Sequence, residues 1–190
     1  MRSVWTSLIS IFGPLIAIIA LIVQVRRARI QQSIDLLFRL EDNFFGEEKC
    51  EQRSLAASGI LRGDFSEAED ILDFFETVAL LVRKKSLDRY MVWHTFSYWI
   101  YGYFEAARDH IKAEQLSDPL RWKDLCEQVP KMQALHKKEL LGVGEKEGAM
   151  ALGKIIPDAA AVQAFLKEEL LEGRNPIFPS PPASPRTPQG

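Results

Sequence analysis

Cysteine, histidine and surplus positive charge are all scarce in this 190-residue chain. Cys50 and Cys126 are too few and too far apart for a disulfide scaffold or a zinc site. They read as small apolar groups, compatible with a reducing compartment. His94, His110 and His136 show no H-x-x-x-H spacing and no cysteine companions, so no metal is expected. The formal net charge is −2, which argues against a nucleic-acid partner. No alternating run is long enough for a strand, and no internal repeat is visible. G-x-S-x-G is absent, and neither cysteine sits in a nucleophile signature. "GAMALGKI" (148–155) stops one residue short of a Walker A loop, because Ile155 stands where the magnesium-binding hydroxyl belongs. Its flanks are wrong too, with charged sequence before it and Pro157 after it. The chain therefore reads as a non-enzyme with no cofactor.

What is present is one long uncharged run, "VWTSLISIFGPLIAIIALIVQV", over residues 4–25. As a helix it would rise about 33 Å, against a hydrocarbon core of about 30 Å. A cleaved leader would have a shorter apolar core and a small-x-small site, but Ala20 has Ile18 two residues before it. Arg26, Arg27 and Arg29 follow, a stop-transfer pattern. The expectation is one transmembrane anchor with its basic flank over 1–29. The cation bias puts the rest on the cytoplasmic side of the inner membrane. Ser10, Gly13, Ala17 and Ala20 recur at spacings of 3, 4 and 3. They form a small-residue face that could pack another span, from a second copy or another membrane protein, within the lipid bilayer. Pro14 should bend this helix.

Residues 30–172 read as a helical domain, so the expected class is all-α. Ile30, Ile34, Leu37 and Phe38 form a stripe at helical spacing. A short helix over 47–63 is closed by Gly63. Ser66 and Glu69 have the spacing of a capping box for the helix "ILDFFETVALLVRKK" (71–85). A helix over about 88–113 holds "YMVWHTFSYWIYGYF" (90–104), with eight of the 19 aromatic residues and no formal charge. At fifteen residues it is too short to span a bilayer, so it reads as a core helix. Ser117-Asp118-Pro119 looks like a helix start, and Pro130 a break or kink. Asp158 opens a last helix that Gly173 closes. Over 173–190, prolines recur every third residue from Pro176 to Pro188, the pattern of a disordered tail or an extended docking peptide.

Glu76 lies in the middle of an apolar helix, on a face with Leu72, Ala79 and Leu80. A buried carboxylate must find a partner or take up a proton. Arg53 lies on a face with Ala56, Ala57 and Ile60, so an inward Arg53–Glu76 ion pair is expected to set the helix register. Trp93, Tyr98 and Trp99 are further candidate donors to Glu76. A general acid or base would need a second positioned group, and none stands nearby.

The anchor, basic flank, "ILDFFETVALLV" helix and aromatic helix resemble uncharacterised bacterial domain-of-unknown-function proteins of this layout. The resemblance covers roughly Arg26 to Ile111 and rests on Arg53, Phe74-Phe75-Glu76, Trp93 and Trp99. It implies a helical cytoplasmic module on a membrane anchor and no activity. The expected function is a membrane-anchored interaction or regulatory module. The alternative is an effector whose spans assemble and perturb the bilayer.

Overall fold

The computed structural model of the chain describes residues 2–143 and 157–172, and the side chains of 17–139 and 157–171. Among the described residues there are seven α-helices and no strand. Helix α1 runs unbroken over Arg2–Phe45, about 66 Å of rod. Every described residue from 17 to 32 is exposed, so α1 stands clear of the rest until Ser33. Its inward side is then Leu36, Leu37, Leu40 and Phe44. Of the expected stripe Leu37 is buried and Ile34 half-buried, whereas Phe38 is turned away from the bundle and Ile30, a turn before Ser33, is exposed.

Gly46 separates α1 from α2 (Glu47–Leu61). The turn after α2 has Gly63 at φ +78°, a conformation that favours glycine. A 3₁₀ turn over Ser66–Ala68 leads into α3 (Glu69–Arg83). The expected capping box does not form. Asp64, two residues earlier, accepts from both the Ser66 amide (3.1 Å) and its hydroxyl (2.8 Å). Those bonds hold the Asp64 carboxyl below its usual range, the amide contributing most.

Asp88 caps α4 (Arg89–Ala106) by accepting from the Tyr90 and Met91 amides. The long helix expected here is interrupted at Ala107, and α5 covers Arg108–Ser117. The start expected at Ser117-Asp118-Pro119 forms turns instead, and Trp122 is left-handed at φ 51°. Helix α6 (Lys123–Val143) begins after it and continues through Pro130. Helix α7 covers Ala159–Glu172, with the Asp158 carboxylate accepting from the Ala161 amide at 2.8 Å. The near-Walker stretch 148–155 and the proline-rich tail 173–190 lie outside the described residues.

The bundle closes around aromatic rings. Phe44 is fully buried, with Phe74, Phe75, Phe96 and Trp99 all 5.2–5.6 Å from its centroid. α3 packs on α6, α4 on α3, α6 and α7, and α2 on α7. Gly102 lets α7 approach α4: a Cβ there would stand 2.6 Å from the Phe165 ring. Among the described residues no helix is long and apolar enough to cross a membrane. Most of the 4–25 run lies outside the described side chains, as do Ser10 and Gly13. Ala17 and Ala20 are exposed on α1.

Candidate functional site

Arg53 is the charged centre of the bundle. The alternation of Arg53, Ala56 and Ala57 on one side of α2 turns it inward, where it is 1% exposed. Its Nε donates to Glu169 Oε2 at 2.9 Å, and Nη1 to the Phe44 carbonyl at 3.3 Å. Glu169 Oε1 accepts from Trp99 Nε1 at 3.0 Å. The Tyr103 hydroxyl lies 2.8 Å from Glu169 Oε2 and 3.1 Å from the Arg53 carbonyl oxygen, sharing one hydrogen between them. The guanidinium also sits 4.7 Å from the Phe44 centroid and 5.7 Å from Trp99, a cation–π arrangement. Glu169 is itself 2% exposed. Helices α1, α2, α4 and α7 thus meet at one desolvated ion pair.

The pair expected between Arg53 and Glu76 does not form. Both oxygens of Glu76 are engaged by the first turn of α6: Oε1 accepts from the Asp124 amide at 3.0 Å and Oε2 from the Leu125 amide at 2.7 Å. These are donors that a helix start leaves unpaired, and negative charge there also meets the positive end of the dipole. Nor do the aromatic donors serve Glu76: Trp99 turns to Glu169, Tyr98 to Glu168, and Trp93 Nε1 is buried without a hydrogen-bond partner among the described residues. The same side of α3 holds more of α6's approach. Asp73 accepts from Trp122 Nε1 at 2.7 Å, and Arg83 Nη2 donates to Asp124 at 3.0 Å. Glu69 pairs with Arg121 at 2.5 Å.

Glu169 was not singled out from the sequence, although a signal was present. Val162, Phe165, Leu166, Glu169 and Leu170 follow the 3-4-7-8 spacing of an inward stripe. A carboxylate on such a stripe carries the same message as Glu76.

A cavity of about 390 Å³ opens between α4, α6 and α7, lined by Tyr98, Tyr101, His136 and Phe165 among others. Tyr101 Oη, His136 Nδ1 and Trp93 Nε1 are buried near it with no hydrogen-bond partner among the described residues. Burial pushes the Tyr101 hydroxyl up from 10.0 and His136 down from 6.5, so both stay neutral near pH 7. Burial likewise pushes the Cys126 thiol up, with the Glu76 charge adding to it against a hydrogen bond from Gln115. Among the described residues no group of three or more His, Cys, Asp or Glu could hold a metal ion.

A family model described as a domain of unknown function, DUF4760, matches residues 7–131. No curated protein and no solved structure matches the chain. Arg53, Glu76, Trp99 and Tyr103 lie inside the matched span, whereas Glu169 and the rest of α7 lie beyond it.

Proposed function

The chain belongs to this domain-of-unknown-function family, and on that premise we propose that it is a membrane-tethered helical interaction module without enzymatic activity. The observation that carries this reading is α1. Ile18, Ile19, Leu21, Ile22, Val23 and Val25 are each 44–59% exposed, and with the exposed Ala17 and Ala20 they leave Gln24 as the one polar side chain from 17 to 25. A helix apolar all round belongs in lipid or inside protein. Arg26, Arg27 and Arg29 follow immediately, which suits an anchor with residue 26 onward on the cytoplasmic side of the inner membrane. The ion pair at Arg53 is sealed from solvent, which suits holding helices together rather than turning over a substrate. Tethering raises local concentration and so strengthens weak docking without new contacts.

Alkaline carbonate washing of membranes tests the anchor: the full chain stays in the pellet, and release into the wash refutes the reading. Crosslinking in native membranes tests the module: a partner or a second copy is captured, and capture of neither refutes it. A second reading is an effector that assembles through its spans. It is favoured by helix geometry, since Ala17 and Ala20, the described members of that small-residue stripe, lie on the side of α1 roughly opposite Ser33, Leu37 and Phe44. Liposomes that leak with the full chain and seal with Ala17→Leu support that reading, and tight liposomes remove it.

A further inference from the structure

Ser33, Leu37, Leu40 and Phe44 make the side of α1 that meets the bundle. Arg26 and Arg29 continue that side toward the apolar run. Across from them lies the α3–α4 turn, where Lys85 has φ 59°. That left-handed conformation favours glycine at a helix end, yet a lysine occupies it. Arg29, Lys85 and Arg89 form a cationic rim around a hollow of about 380 Å³, over an apolar floor of Ile30, Val82 and Leu87.

Neither Arg29 nor Lys85 pairs with a carboxylate among the described residues. Arg89 reaches Gln128 through Nε alone, at 3.2 Å. Asp88 also lines the hollow, but its Oδ1 accepts from the Tyr90 and Met91 amides at 2.9 and 3.2 Å. Its backbone amide donates to Ser33 Oγ at 3.2 Å, tying the turn to α1. Arg29 lies about 6 Å along the axis beyond Val25. The headgroup layer is about 5–7 Å deep on each side of the hydrocarbon. With the apolar run in lipid, the rim therefore opens at headgroup level.

We propose that this cleft binds the phosphate of an anionic phospholipid headgroup, with the first acyl carbons lying over Ile30. The proposal rests on the tethered reading above. The three cations outweigh the Asp88 carboxylate and the guanidinium forks suit phosphate oxygens, while the apolar floor separates a lipid from a free anion.

The test is native mass spectrometry of the full chain released from micelles holding equal phosphatidylglycerol and phosphatidylcholine. Phosphatidylglycerol is retained in preference. The triple variant Arg29→Gln/Lys85→Gln/Arg89→Gln loses about fivefold of that preference per cation removed. The charge-matched triple Arg39→Gln/Lys84→Gln/Lys131→Gln keeps it, because those residues neither line the hollow nor flank the apolar run. All six side chains are exposed, and circular dichroism checks that both variants stay helical. Equal retention of the two lipids, equal loss in the two triples, or displacement of the lipid by equimolar inorganic phosphate overturns the proposal. A chain that resists alkaline washing yet shows no lipid preference refutes the cleft alone. A chain that washes off refutes the tether.

Discussion

Replacing Glu169 by leucine should unlatch α7. Arg53 is 1% exposed and held in an aromatic cage, so the variant takes a carboxylate partner from a guanidinium that water cannot reach. Breaking a buried pair from one side costs about 3–5 kcal/mol. Trp99 Nε1 also loses its acceptor, while Tyr103 keeps the Arg53 carbonyl at 3.1 Å. An orphaned buried donor costs about 1–3 kcal/mol, and because the groups share one carboxylate the two costs overlap. The expected loss is about 4 kcal/mol. Arg53→Met should cost about 3 kcal/mol, since it takes a cationic partner from a buried carboxylate that still accepts from Trp99 and Tyr103. The double variant removes both charges and should lose only about 2 kcal/mol, chiefly the orphaned indole. Coupling between the two sites is therefore several kcal/mol. Urea unfolding of the full chain in mild detergent measures it, with hydrogen exchange reporting on α7 separately. Losses that add within about 0.5 kcal/mol would show that the pair does not interact. Amides over 159–172 that stay fully protected in Glu169→Leu would refute the latch.

Other perturbations test other contacts. Glu76→Ala removes a charged acceptor from two α6 amides and should cost about 2 kcal/mol, with Glu76→Gln losing less; an unchanged urea midpoint would refute the cap. Gly102→Ala drives a methyl against the Phe165 ring and should cost about 1–3 kcal/mol, and Phe165→Leu in the same chain should recover part of it; two independent losses would refute the close approach. Burial holds His136 below 6.5 in the folded chain. The unfolded chain then takes the proton first, so stability is full above that value and falls as pH drops toward the folded pKa. His136→Gln should flatten this part of the pH profile, and an unchanged slope from pH 7 to 5 would exclude His136 as its source.

Much of the architecture could be read one helix at a time. The 3.6-residue period marked α2, α3 and α4, Asp158 marked the start of α7, and the aromatic run marked the centre of the core. Boundaries were missed where distant or competing donors and acceptors intervened. Ser66 does not cap α3: Asp64 takes the Ser66 amide that Glu69 would have reached, and a 3₁₀ turn over Ser66–Ala68 stands between them. Asp118 did not start α6 because Trp122 turns left-handed onto Asp73, and Glu76 then supplies the cap from another helix.

The amino-acid order alone determined which side chains had to leave water. Arg53 and Glu169 sit on inward stripes and are buried, Glu76 sits at the edge of one and is half-buried, and helical spacing is a property of neighbouring residues. Only the packing of the helices decided who met whom. Arg53 finds Glu169 at a separation of 116 residues, while Glu76 turns to backbone amides 48 and 49 positions away. A buried charge requires compensation, but periodicity within one helix carries no information about which other helix will provide it.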